Sequence, residues 1–148
     1  MKKKTLATIL LAEDDDGHAR LLERGLESAG VRNPLIRFRT GMEAWNYIFG
    51  KSAPCLEPSQ PYLLLLDIRM PLMSGIDLLR RVKSDRRYRS IPAAMLTTTD
   101  DPKEIRRCHD LGCKHFLVKP VDAARLADLF KLPRLPRKKN GNEVPGLE

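Results

Sequence analysis

Short apolar runs alternate along this chain with stretches in which apolar residues recur at helical spacing. The runs are four or five residues long and are typical of strands buried on both faces. Between them, sets such as Leu22, Leu26 and Ala29 share one helical face, and Gly30 is a good helix stop. The predicted strands are residues 8–12, 35–38, 62–66, 93–96 and 115–118.

Each predicted strand is followed by a predicted helix. The helices begin near Asp15 or Asp16, Gly41, Ser74, Asp101 and Asp122. Five such units in a row predict an α/β fold with one parallel sheet, right-handed crossovers and helices on both faces. We expect the doubly wound, flavodoxin-like strand order 2-1-3-4-5, in which the first and third strands are neighbours.

This pattern defines one domain over residues 8–132. Residues 1–7 form a basic leader, and residues 51–61 contain three prolines and are predicted to be a loop. Residues 133–148 are rich in Pro, Lys and Gly, cannot build a core and are predicted to be a flexible basic tail. The final Leu147 and Glu148 are typical of residues left by cloning.

Composition narrows the class of protein. The 148 residues carry a net charge of +8, with 42% hydrophobic and 31% charged residues, which is ordinary for a globular domain. No apolar run is long enough to span a membrane. Three cysteines give no disulfide framework and favour a reducing, cytoplasmic compartment. The basic segment 80–89 has one aromatic residue and reads as a solvated helix face, so nucleic-acid binding is not expected.

Acidic residues follow two of the predicted strands. Glu13 and Asp14 come after the first strand, and Asp67 comes after the third. The carboxyl ends of neighbouring parallel strands share one edge, so we expect these carboxylates to lie together. Close carboxylates repel, and Mg²⁺, which prefers oxygen ligands, relieves that repulsion. One of them can then attack a phosphoryl group and form an aspartyl phosphate.

Two further residues fit that chemistry. Thr97 ends the fourth strand with a hydroxyl, and Lys119 ends the fifth with an ammonium at the same edge. Both groups can satisfy the oxygens of a phosphoryl group. His18, at the start of the first helix, is expected to be solvated and is assigned no catalytic role. Cys108, His109, Cys113 and His115 lack the paired short spacing of a zinc site.

Four motifs lie at strand ends: Leu-Ala-Glu-Asp (11–14), Leu-Asp-Ile-Arg-Met-Pro-Leu-Met-Ser-Gly (66–75), Leu-Thr-Thr (96–98) and Val-Lys-Pro-Val-Asp (118–122). Together they give the chain a close resemblance to the receiver domains of two-component response regulators over residues 8–130. The Pro-rich segment 51–61, the pair Thr97-Thr98 and Lys-Pro-Val-Asp resemble a subfamily of stand-alone receivers, some of which serve bacterial phytochrome kinases.

The resemblance implies roles for individual residues. Asp67 is the expected phosphoacceptor, with a phosphohistidine of a sensor histidine kinase as donor. Thr97 and Lys119 are expected to contact the phosphoryl group, and Phe116 occupies the switch position, with a plain core aromatic as the alternative. The expected Mg²⁺ ligands are Asp14 directly, Glu13 mostly through water, Asp67, and the backbone carbonyl of Arg69. The expected structural residues are Pro71, Gly75 and Pro120, the last after a cis peptide bond.

The resemblance also implies how the protein signals. No output domain follows, so we expect phosphorylation-dependent docking on an unidentified target, slow self-dephosphorylation and, as a further assembly, a homodimer. A phytochrome-like photoreceptor kinase is one candidate donor. Haloacid-dehalogenase-type hydrolases carry a second Asp two residues after the nucleophile, where this chain has Arg69, which argues against a turnover enzyme. The alternative function is a phosphorylation-independent protein-binding module.

Overall fold

The computed structural model of the protein describes residues 5–51, 53–98 and 101–136. Its elements alternate between strand and helix along the whole of this range. No helix in these three ranges is long and apolar enough to cross a membrane. In chain order the elements are β1 (Thr8–Ala12), α1 (Asp16–Ser28), β2 (Leu35–Phe38), α2 (Gly41–Phe49), β3 (Tyr62–Asp67), α3 (Gly75–Lys83), β4 (Ala93–Thr97), α4 (Pro102–Asp110), β5 (His115–Val118) and α5 (Ala123–Leu129).

The five strands form one parallel sheet in the order β2-β1-β3-β4-β5, which confirms the predicted topology. β3 lies at its centre, and all six of its residues are buried. Successive side chains of a strand point to opposite faces of the sheet. Leu63 and Leu65 therefore pack in the cluster that contains Leu22 of α1 and Leu126 of α5. Their neighbours on β3 pack on the other face, against α2, α3 and α4.

Side-chain caps fix where the helices begin. The Asp15 carboxylate accepts a hydrogen bond from the His18 backbone N–H, so Asp15 caps α1 and Asp16 is its first residue. Ser74 and Asp77 form a reciprocal capping box at the start of α3. That cap places the start of α3 directly after the loop that follows β3.

Two strands extend one residue beyond their predicted ends. Asp67 still pairs with Leu96, and Thr97 still pairs with Val118. The sequence suggested that these polar residues lie just past the strands, because polar side chains usually end a buried apolar run. Both residues are in fact buried at the last positions of β3 and β4.

After α5 the chain returns to the C-terminal end of α1. Arg134 Nε donates to the Ala29 carbonyl at 2.9 Å, and the Leu135 N–H donates to the Gly30 carbonyl at 2.7 Å. Gly30 has φ +85° and accepts this close approach. We call residues 134–135 the C-terminal clasp. The predicted flexible tail thus begins with a segment held by α1, and residues 137–148 and 1–4 lie outside the described ranges.

Intramolecular contacts occupy several cations of the basic segment 80–89. The nearly buried Asp85 carboxylate accepts hydrogen bonds from Arg87 and Arg81, and the Arg87 hydrogen bonds lower the pKa of Asp85 to about 2. The Arg81 guanidinium also lies 4.3 Å from the ring centre of Phe49, within range of a cation–π contact. These contacts leave fewer free cations for a nucleic acid.

Candidate functional site

Three carboxylates meet at the carboxyl edge of the sheet. Ala12 pairs with Leu66 across β1 and β3, so the residues that follow each of them are neighbours. Carboxylate oxygens of Glu13, Asp14 and Asp67 lie within 4.8 Å of one another. Glu13 is 2% exposed and Asp67 is 6% exposed, whereas Asp14 faces solvent. Within the described ranges, no other group of three His, Cys, Asp or Glu side chains is this close.

The Lys119 ammonium joins two of these carboxylates. Its Nζ lies 3.0 Å from Asp67 Oδ2 and forms a second ion pair with Glu13 Oε1. The backbone holds this residue in place, because the Lys119 N–H donates to the Thr97 carbonyl at 2.8 Å. The Lys119–Pro120 peptide bond is cis. Burial alone would lower the pKa of Lys119, but the two carboxylates outweigh it and raise that pKa.

Burial and the neighbouring acid also raise the pKa of Glu13. Burial, followed by the hydrogen bond with Asp67, raises the pKa of Glu13 to about 7, although Lys119 opposes the change. Three carboxylates, two of them buried, face a single ammonium, so the site carries excess negative charge. Such a set of oxygen donors fits a divalent cation of the Mg²⁺ type, which would neutralise them.

The other predicted site residues surround this cluster. Thr97 is 3% exposed at the end of β4, between the ends of β3 and β5. The Arg69 N–H donates to Asp67 Oδ1 at 3.2 Å, and its guanidinium lies 3.4 Å from Glu104 Oε1 on α4. Arg69 therefore lies beside the phosphoacceptor candidate and links its loop to α4.

Two predicted structural residues lie in the loop after β3. Pro71 is exposed there, and Gly75 begins α3 in direct contact with β3. A Cβ atom at Gly75 would lie 2.1 Å from the Asp67 carbonyl oxygen and 3.1 Å from Met95 Cε. No side chain larger than hydrogen fits at that distance. Gly75 thus lets α3 begin directly against the residue that carries the central carboxylate.

Phe116 packs against the core from β5. Its ring is partly buried, and the ring centre lies 5.2 Å from that of His109 on α4. The residue therefore touches the helix that a switch on β5 would have to influence. A change of rotamer at Phe116 stays a prediction.

The cysteine and histidine residues near α4 have other roles. Cys108 and Cys113 are buried, and burial raises the pKa of both thiols, that of Cys108 to about 11. The His115 ring packs on Phe130 with ring centres 5.0 Å apart. Within the described ranges, these four side chains are not gathered into a group that could share one metal ion.

Two further residues contact this cluster; the sequence placed His18 close to the acids, whereas Arg37 was not expected there. His18 Nδ1 lies 3.3 Å from Lys119 Nζ and 3.7 Å from Glu13 Oε1, so this half-exposed ring borders the site. Arg37 of β2 donates two hydrogen bonds to the Glu13 carbonyl. The sequence contains one feature that could have indicated the contact of Arg37: it is a charged residue within a short, otherwise apolar strand. For His18 the signal is its place at the start of the first helix, directly after the acids.

Comparison with known sequences agrees with this geometry. The model of the response regulator receiver domain family matches residues 9–131. The probable methanogenesis regulatory protein FilR2 of Methanothrix harundinacea (strain 6Ac) is 33% identical over 113 residues, which cover 76% of this chain and 72% of FilR2. The chain spans only 30% of the two-component response regulator ARR8 of Arabidopsis thaliana, with 43% identity over 70 residues, or 47% of this chain.

Similar folds are found among solved structures. A response regulator receiver domain from Rhodospirillum rubrum is 40% identical, with a TM-score of 0.77 over 90% of this chain and 100% of that one. The bacteriophytochrome response regulator RtBRR is 28% identical, with a TM-score of 0.74 over 96% and 86% of the two chains. The phosphorylated cyanobacterial phytochrome response regulator RcpA is 28% identical, with a TM-score of 0.71 over 86% and 90%.

Proposed function

Because the chain belongs to the response regulator receiver domain family, we propose that it is a Mg²⁺-dependent phosphoacceptor that carries its phosphoryl group on Asp67. The observation that carries the proposal is the position of Asp67. Its buried carboxylate lies within 4.8 Å of two other acids and 3.0 Å from the Lys119 ammonium. RcpA, a relative whose structure is of a phosphorylated form, supports the assignment.

The acidic residues would bind the metal, and one of them, Asp67, would also accept the phosphoryl group. Glu13, Asp14 and Asp67, with the backbone carbonyl of Arg69, are the proposed ligands of Mg²⁺. When bound, the ion supplies positive charge that lowers the repulsion between the carboxylates and the phosphoryl oxygens. An Asp67 oxygen forms a bond to phosphorus as the bond from phosphorus to the donor nitrogen breaks.

The polar residues on β4 and β5 would stabilise the product. Lys119 is paired with Asp67 Oδ2 before the reaction and can pair with a phosphoryl oxygen after it. We assign the Thr97 hydroxyl to a second phosphoryl oxygen, because Thr97 ends the strand between Asp67 and Lys119. Movement of Thr97 would then change the packing of Phe116, which contacts His109 on α4. Water would slowly remove the phosphoryl group.

The proposed donor is a sensor histidine kinase, and the proposed output is docking of the phosphorylated domain on a protein target. Similarity to RtBRR and RcpA makes a phytochrome-type kinase one candidate. The basic surface suits an acidic partner. Cys55, Cys108 and Cys113 are all free, which suits the cytoplasm. A homodimer through the surface of α4, β5 and α5 is a further part of the proposal.

The test uses acetyl phosphate, a small donor that requires no kinase. Incubation of the full chain with acetyl phosphate and Mg²⁺ is expected to add one hydrolytically labile phosphoryl group. Asp67 would supply the nucleophile, and Mg²⁺ and Lys119 would supply positive charge. Intact mass and Phos-tag mobility measure the product. EDTA is expected to prevent it. A chain that gains no phosphate with Mg²⁺ present contradicts the proposal and favours the phosphorylation-independent binding module.

The raised pKa of Glu13 predicts a pH dependence of Mg²⁺ binding. A proton on Glu13 competes with the metal, so the Mg²⁺ dissociation constant at pH 6 is expected to be about tenfold higher than at pH 8. Without metal, the folded state binds more protons than the unfolded state between pH 4.5 and about 7. Its stability therefore falls as pH rises through that window.

Calorimetric titration with Mg²⁺ at several pH values measures the effect. Glu13→Gln removes the titrating group and is expected to flatten the profile between pH 6 and 8. Equal affinity of the wild-type chain at both pH values would contradict the assignment of Glu13 as the competing base.

A further inference from the structure

The guanidinium of Arg37 holds the turn that carries two of the acids. Arg37 is the third residue of β2 and lies opposite Leu11 in the parallel pairing. Its side chain is only 15% exposed. Nε and Nη2 both donate to the Glu13 carbonyl, at 3.0 Å and 2.9 Å, and Nη1 donates to Asp16 Oδ1 at 2.7 Å. A single planar group therefore spans the turn between β1 and α1.

A second contact with β2 holds the backbone of Glu13. The Glu13 N–H donates to the Phe38 carbonyl at 3.0 Å, so both peptide groups of Glu13 are bonded to β2. The carbonyl that Arg37 holds belongs to the peptide bond between Glu13 and Asp14. Its orientation sets the direction in which both acidic side chains leave the backbone. Neither carboxylate is itself bonded by Arg37.

We propose that Arg37 is a positioning residue for the Mg²⁺ site. By holding the peptide between Glu13 and Asp14, Arg37 keeps both carboxylates oriented toward the metal. This inference rests on the proposed function. Residues that orient metal ligands without touching the metal commonly change affinity by about 10–100-fold when replaced. The forked geometry is a property of arginine, because the lysine ammonium is a point charge and has no planar pair of donors. The fork, and not the charge alone, is the essential feature.

The charge of Arg37 has the opposite effect on a cation. A guanidinium beside the site repels Mg²⁺, although Asp16 partly neutralises it. Removing the charge would tighten metal binding, whereas loosening the turn would weaken it. The sign of the measured change therefore separates the two effects.

The chain offers a matched control in Arg39. This residue also lies within 3.1 Å of Asp16 Oδ1 but is 66% exposed, and it makes no side-chain hydrogen bond to Glu13 among the described contacts. Arg39→Ala removes one positive charge from the same acid and leaves the Glu13 carbonyl bonded. We expect its Mg²⁺ dissociation constant to stay within about twofold of wild type, because an exposed ion pair contributes little.

The experiment measures Mg²⁺ binding by calorimetry for the full chain and for Arg37→Lys, Arg37→Gln and Arg39→Ala. Both Arg37 variants are expected to raise the dissociation constant about tenfold or more. The rate of phosphorylation by acetyl phosphate is expected to reach the wild-type value at saturating Mg²⁺, with only the half-saturating concentration increased. Thermal melting without Mg²⁺ checks that each variant is folded.

The outcomes decide between distinct failures. Wild-type affinity in Arg37→Lys, or tighter binding by Arg37→Gln, overturns the proposal because charge alone then explains the effect of Arg37. An Arg37→Lys chain that no longer melts cooperatively also overturns it and assigns Arg37 to folding. A wild-type chain that binds no Mg²⁺ contradicts the proposed function itself, before any variant is considered.

Discussion

Asp67→Asn is expected to gain no phosphoryl group from acetyl phosphate and Mg²⁺ under conditions in which the wild-type chain is labelled. The amide has the shape of the carboxylate but lacks its nucleophilic oxygen and its charge. The replacement is buried at the end of the central strand β3, where its neighbours Lys119 and Arg69 still approach it. Folding should therefore survive while phosphoacceptance is lost completely. Intact mass spectrometry and Phos-tag gels measure the loss.

Asp15→Asn is the matched control. Asp15 lies close to the cluster in sequence, but its side chain caps α1 through the His18 N–H. Asparagine caps helices as well as aspartate does, so stability and labelling are both expected to stay near wild type. Equal labelling of Asp67→Asn would place the phosphate on another residue, with Glu13 and Asp14 of the same cluster as the candidates.

Gly75→Ala is expected to destabilise the protein by about 3 kcal/mol, a loss of about 10 °C in melting temperature. The new methyl group would lie 2.1 Å from the Asp67 carbonyl oxygen. That neighbour is backbone in the central strand, so it cannot rotate away as a flexible side chain would. Either α3 or the end of β3 must move. Because Asp67 is carried by that backbone, labelling by acetyl phosphate should fall as well.

Gly17→Ala tests whether the loss of stability in Gly75→Ala comes from the contact with the Asp67 carbonyl and not from adding a methyl group to a first helical turn. Gly17 lies in the first turn of α1, as Gly75 lies in that of α3, but its nearest neighbour for a Cβ is the Asp15 side chain at 3.2 Å. Alanine is the better helix former, so the melting temperature should stay unchanged or rise slightly. Circular dichroism melts of both variants provide the comparison, and a Gly75→Ala chain as stable as wild type would refute the clash.

The fold was predictable because every local signal agreed with the same architecture. The alternation of strand and helix is indicated by helix caps such as Ser74, by helix stops such as Gly30 and by the apolar strand at 62–66. The carboxylates were predictable for a related reason. Parallel strands bring their ends to one edge, so residues far apart in the chain become neighbours without any knowledge of side-chain geometry.

The surrounding contacts depend on details that a linear pattern does not contain. The contact of Arg37 with the Glu13 carbonyl requires the register of β2 against β1 and the rotamer of a long side chain. The contact of His18 with Lys119 requires the angle at which α1 leaves the turn. The C-terminal clasp could not be predicted from composition, because the Pro and Lys residues of this segment suggested a flexible tail without contacts to the domain.

The C-terminal clasp also decides where attached groups can be placed. α1 starts beside the acidic cluster and ends at Ser28, so the clasp on Gly30, two residues later, lies at the opposite edge of the sheet. A six-residue strand such as β3 separates the two edges by about 20 Å. Residue 136, the last residue that the structure describes, therefore lies on the side remote from Asp67, and a dye, a purification handle or a surface linker joined directly to it would leave from that side. Immobilisation through that end should keep the acidic edge facing solution and open to a donor enzyme.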